Sequence, residues 1–251
     1  MESPPLHQFL ASLGRVQHYV YTAVVGLSAV EDGTAKKPDD LDISWKAVDP
    51  KGSARESRRF LLRSTLVFTA EELSAYASQI LTFRGENIPR ERAERLQQLG
   101  SVEPPYLRVA PVMVSRWRNR IIHRASRPRL SNAERQILTD HSDVIRADFK
   151  GLVVAELIEH FETDQPTLKD VTVLLAMSIR FVRLIDSTLS DPAGANDVAA
   201  WLSALGLLGE VLRREKEARN GNSPDPRARS RQFLLTEAPT LAEAYYSHGA
   251  A

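Results

Sequence analysis

Three features of this 251-residue chain predict an all-α fold. Apolar residues recur at three- and four-residue spacing along several runs of more than twenty residues. Capping signatures of the Ser/Thr-x-x-Glu kind stand among these runs, and no segment alternates apolar with polar residues as a half-buried strand would. With 43% hydrophobic and 26% charged residues, the composition is that of an ordinary globular protein long enough to bury a substantial core.

In chain order, Leu6 to Val30 is predicted as a long helix with Phe9, Leu10, Leu13, Val16 and Val20 on one side. The polar stretch 31–57, rich in Asp, Lys, Gly and Pro, reads as a loop or insertion pinned to the body by Trp45. Arg58 to Phe83 is a second helix, in which Thr69-Ala-Glu-Glu72 fits a capping box and marks a candidate break. Pro89 to Leu99 is short, with Pro near its start and Gly100 just past its end. Val109 to about Arg124 follows, placing Pro111 in the first turn, the one part of a helix that tolerates proline; Arg127-Pro128 ends it. Ser131-Asn-Ala-Glu134 is another capping box and opens a helix toward Arg146. Ala147 to Phe161 comes next. Thr167 to Leu189, through Val171, Leu174, Leu175, Phe181, Leu184 and Ile185, is apolar enough for the core or a subunit interface. Beyond Pro192, Asp197 to Arg219 is amphipathic through Val198, Trp201, Leu202, Leu205, Leu208 and Leu212. A mobile Pro/Arg/Ser linker over 221–231 precedes a tail with Tyr245 and Tyr246.

The formal net charge is only +1, so overall charge does not point to a polyanion. Its distribution does. Arg116, Arg118, Arg120, Arg124, Arg127 and Arg129 fall within fourteen residues with no acid among them. Such a local field attracts polyanions, and a solvated face balanced by acids from elsewhere is the alternative. The absence of cysteine removes disulfides, thiol nucleophiles and cysteine-ligated metals. The N-terminal residues lack a signal peptide's basic start and apolar run, and no apolar stretch would span a bilayer. A cytoplasmic protein with no membrane partner is expected.

Within the arginine cluster lies Arg118-Asn119-Arg120-Ile121-Ile122-His123. The loose pattern of Arg, four to six residues, then His occurs three times, at Arg116/His123, Arg118/His123 and Arg135/His141. Requiring the asparagine leaves one, with a chance expectation of roughly 0.01 to 0.02 for this composition. Histidine moves protons near neutral pH, arginine offers a permanently charged fork for phosphate oxygens, and an amide can orient either. Asn119 and His123, four apart, share a helix face. Arg118 and His123, five apart, are about 140° apart on an ideal helix, so the arginine must curl back or the helix must distort.

The residues Arg118, Asn119 and His123 resemble the Arg-Asn-x-x-x-His signature of the HEPN superfamily of helical ribonucleases. The segment from Arg63 to Tyr76, an apolar run leading to Glu71-Glu72 and an aromatic, is similar to that family's core helix. The resemblance covers about 6–189. It implies a helical bundle of HEPN type over 1–189, elaborated at 31–57, with 190–251 as a helical C-terminal extension packing on the same body. It further implies a metal-independent endoribonuclease needing no cofactor, often a bacterial toxin or antiphage defence effector. Two subunits of such enzymes commonly join their motifs at a dimer interface, and a toxin's further partner would be an antitoxin or regulatory protein.

On this reading His123 is the general acid/base, Arg118 the phosphate clamp and Asn119 the orienting residue. Glu71 or Glu72 holds Arg118, and Arg116, Arg120 and Arg124 contact RNA. Because one histidine does not readily serve both proton transfers, a second His123 from a dimer partner is expected. Competing readings remain open: a non-catalytic module of the same fold binding RNA, nucleotide or a partner protein, or a helical regulator binding DNA through residues 116–129. A packed helix-end His123 beside an Arg118 paired to an acid would be the purely structural outcome. Arg135/His141 lacks the asparagine and reads as a decoy, Glu156/His160 as an exposed helical pair, and His7 and His18 as structural.

Overall fold

The computed structural model of the chain describes residues 3–42, 48–123, 125, 127–189, 195–221, 225 and 227–248. Trp45, Arg124 and Pro192 lie outside these. Among the described residues there are twelve helices and no strand. They are α1 (Pro4–Glu31), α2 (Pro50–Phe83), α3 (Arg92–Gln98), α4 (Tyr106–Ile122), α5 (Asn132–Asp140) and α6 (Ser142–Asp148), followed by α7 (Val154–Thr163), α8 (Leu168–Asp186), α9 (Ala195–Ala204), α10 (Leu208–Asn220), α11 (Ala228–Glu237) and α12 (Pro239–His248). The fold is all-α, and none of these helices is long and apolar enough to cross a membrane.

Several boundaries differ from expectation for physical reasons. Helix α2 begins eight residues early and runs unbroken through Thr69. Thr69 is fully buried and its hydroxyl donates to the Thr65 carbonyl one turn back, so it cannot cap a new helix. Helix α4 starts at Tyr106, which places Pro111 in its interior rather than its first turn. The expected helix 131–146 divides at His141. The His141 ring Nδ1 bonds the Ile137 carbonyl at 2.8 Å, the acceptor its own backbone N–H would use, and that N–H turns to Thr139 instead. The expected helix 197–219 divides at Gly206, which has φ +72°. Helix α11 occupies part of the expected 221–231 linker.

The chain forms two compact units. One comprises residues 1–9, 74–100 and 182–251. Here the buried Asp186 accepts from the Ser3 backbone N–H and hydroxyl, and the Tyr76 hydroxyl donates to the Val182 carbonyl. Phe83 stacks on buried Trp201 with ring centroids 3.7 Å apart. Tyr246 donates to Ser230, which reaches Glu215, tying α12, α11 and α10 together.

The other unit comprises residues 10–73 and 101–181 and holds the arginine cluster. Ten of the residues from Tyr106 to Trp117 on α4 are buried, so this helix is a core element up to its last turn. The Ser131 capping box is present in full: Ser131 accepts from the Glu134 N–H, and Glu134 accepts from the Ser131 N–H. That fixes where α5 starts beneath the arginines.

Candidate functional site

The end of α4 is held from inside by Trp117. Its ring is fully buried and meets Phe161 of α7 edge-on at 5.5 Å. Its indole N–H donates to Asp164 Oδ1 at 3.0 Å. The other Asp164 oxygen pairs with Arg63 of α2. Asp164 follows α7 at φ +57°, a left-handed conformation that turns the chain while its carboxylate ties α2 to α4.

With Trp117 anchored, Arg118 emerges with its side chain only 14% exposed. Its Nε donates to Glu71 Oε1 at 3.0 Å. Its Nη1 lies 3.2 Å from Asn119 Oδ1 and 3.3 Å from His123 Nε2. One guanidinium therefore gathers the carboxylate, the amide and the imidazole. A guanidinium can only donate, so this contact is a hydrogen bond in the tautomer whose Nε2 carries the lone pair. His123 itself is exposed.

The two side chains meet despite the roughly 140° separation of an ideal helix. Helix α4 stops at Ile122, and His123 adopts φ −110° and ψ 85° while its N–H still bonds the Asn119 carbonyl. The His123 ring and the Arg118 guanidinium meet at this helix end, at 3.3 Å. Asn119 and His123 are thus joined through the Arg118 fork rather than merely by sharing a face.

The surrounding candidates divide. Glu71 holds Arg118; Glu72 does not. Burial pushes the Glu72 carboxyl above its ordinary range, opposed by a hydrogen bond from Ser12 and the charge of Arg15. Arg116 is paired with Glu134 and donates to the Arg129 carbonyl. Arg120 donates to the Pro128 and Glu162 carbonyls and lies over the Phe161 ring at 5.1 Å. Both of these arginines therefore carry internal contacts, and Arg124 lies outside the described residues. Glu134 responds to two opposing effects. Burial raises its carboxyl, but the Arg116 hydrogen bond and charge and two bonds from Ser131 outweigh that, leaving it below the usual range.

His160, expected to pair with Glu156, instead places Nδ1 2.8 Å from the buried carboxylate of Asp170, which also accepts from Thr167. The Thr167-x-x-Asp170 spacing is itself a capping pattern and could have indicated this tie. Asp164 had no comparable local signal, because its partners lie 101 and 47 residues away. Arg135 and His141 do not meet: Arg135 pairs with Glu162, and the His141 ring bonds Ile137. Comparison with protein-family models, curated proteins and solved structures finds no match.

Proposed function

We propose that this chain is a metal-independent endoribonuclease of HEPN type. The observation that carries the reading is the convergence of Asn119 and His123 on a single Arg118 guanidinium, with His123 open to solvent. Once the Arg118 guanidinium turns to a bound phosphate, the Nε2 lone pair of His123 is free to remove a proton from the 2′-hydroxyl. The 2′-oxygen then attacks phosphorus and the bond from phosphorus to the 5′-oxygen breaks. The products are a 2′,3′-cyclic phosphate and a 5′-hydroxyl. Arg118 stabilises the charge that builds on the non-bridging oxygens, Glu71 keeps the fork in place, and Asn119 holds its rotamer.

The leaving 5′-oxygen needs a proton, and a second His123 from a partner subunit, in its protonated imidazolium form, is the natural donor. Helix α2 offers a face for such self-association. Phe60 and Phe68 are 74% and 39% exposed and share with Glu71 an arc of about 80° at 100° per residue. Within a cell the activity fits a toxin or defence effector acting in the cytoplasm and restrained by a protein partner.

The test is cleavage of a mixed RNA pool in excess EDTA by the wild-type protein and by His123→Ala. The expected result is cyclic phosphate ends from wild type and a loss of at least ~100-fold in the variant. RNA retention that weakens with salt but never leads to cleavage would instead support a binding module.

A further inference from the structure

The last turn of α4 also borders a pocket for which the proton-transfer chemistry has no use. It has a volume of about 640 Å³ and is lined chiefly by Arg63, Arg120, Arg127, Glu162 and Asp164. Three guanidinium groups thus face two carboxylates, and both carboxylates are already engaged. Asp164 takes Arg63 and the Trp117 indole, and Glu162 takes Arg135. Arg120 donates only to backbone carbonyls, which satisfy hydrogens without cancelling a charge. Arg127 is exposed and has no hydrogen bond or ion pair among the described residues. Two positive charges are therefore left uncompensated at one opening.

Hydrogen-bond capacity points the same way. A guanidinium carries five N–H donors. Arg63 uses its Nη2 on Asp164 and leaves Nη1 uncommitted among the described residues. Arg120 uses one bond from each Nη and keeps a second hydrogen on each. The Nε groups of both arginines are buried without an acceptor. Donors outnumber acceptors around this pocket, and the missing species is an oxyanion with several lone pairs.

The position of the pocket identifies which oxyanion. Arg120 lies two residues after Arg118 and three before His123, so the pocket rim and the Arg118–His123 pair share the end of α4. A polyanion held at Arg118 and His123 has its next charges within reach of that rim. We infer that the pocket is a subsite for a backbone phosphate of single-stranded RNA flanking the scissile one, with Arg127 and Arg120 as its main contacts. This inference rests on the ribonuclease reading. Phosphate contacts fix register without reading sequence, so the subsite strengthens binding alike for all sequences.

The experiment measures binding apart from cleavage. Fluorescence anisotropy of a labelled RNA octamer is recorded on His123→Ala protein, alone and combined with Arg127→Gln, across a salt series. Arg183→Gln, an exposed arginine on α8, is the charge control. Arg127→Gln is expected to weaken retention about tenfold, the usual worth of one charged hydrogen bond. It should also reduce the slope of log affinity against log salt by about 0.7, with an unchanged melting temperature. An Arg127→Gln affinity and slope equal to those of Arg183→Gln overturn the subsite. So does a complete lack of RNA retention at low salt. Displacement of the octamer by a 5′-mononucleotide at the octamer's own concentration would assign the pocket to free nucleotide instead. Undiminished cleavage by His123→Ala would remove the ribonuclease assignment of that residue while the binding result still decides the pocket.

Discussion

Two Arg/His pairs of nearly the same spacing lie at the ends of successive helices and do opposite things. At the end of α4, Arg118 and His123 meet at 3.3 Å, with Asn119 and Glu71 on the same guanidinium. At the end of α5, Arg135 turns to Glu162, while the His141 ring bonds the Ile137 carbonyl and lies 5.5 Å from the Tyr106 ring. Both histidines terminate a helix. His141 keeps ψ at 14° and the chain passes straight into α6, whereas His123 takes ψ 85° and leaves the helical path. Spacing permits a contact, and the helix end with its nearby acceptors decides whether it forms.

The largest effect should separate the two histidines. In the EDTA assay His123→Ala is expected to lose at least ~100-fold, while His141→Ala keeps the wild-type rate. Equal losses in both would show that helix-end histidines matter only for folding. Next is the anchor behind the first pair. Asp164→Ala leaves the buried Trp117 N–H without an acceptor and Arg63 without its carboxylate, a cost of about 2 kcal/mol in urea unfolding. An unchanged midpoint would mean that Asp164 does not hold the end of α4.

A smaller contrast compares the two arginine–carboxylate pairs, Arg118–Glu71 and Arg135–Glu162. Glu71→Gln should slow cleavage about tenfold by loosening the Arg118 fork, without changing RNA affinity as much. Arg135→Ala breaks a partly exposed pair and should cost under about 1 kcal/mol of stability, with no change in rate. The reverse ranking would make the second pair the functional one. The smallest effect is at Glu134, whose carboxyl is held below the ordinary 4.5. A depressed folded value means its stabilisation is full above about pH 4.5 and is lost as pH falls through the folded value. Melting temperature from pH 7 to 3 should therefore fall less steeply for Glu134→Gln than for wild type, and parallel curves would argue against the Arg116–Glu134 tie.

What could be read from the sequence is what short stretches of chain determine. The all-α fold, the long apolar helices and the Ser131 capping box all express local periodicity or a four-residue signature. The same capping pattern at Thr69 misled, because four letters do not reveal that the hydroxyl is fully buried and already bonded one turn back. The break at His141 was hidden because it depends on which group wins one carbonyl. The motif letters were visible, but the turn of His123 off the helix and the choice of Glu71 over Glu72 require tertiary placement. The contacts of Arg116 and Arg120 are likewise set by partners far along the chain, which arginine spacing does not encode.

The most direct measurement is a double-mutant cycle on RNA cleavage with Arg118→Ala, His123→Ala and the two combined. If the pair acts as one device, either single change removes nearly all the rate that the double change removes. Losses that multiply independently, or a wild-type rate in Arg118→Ala, would contradict the central claim that one guanidinium and one imidazole form a single working site.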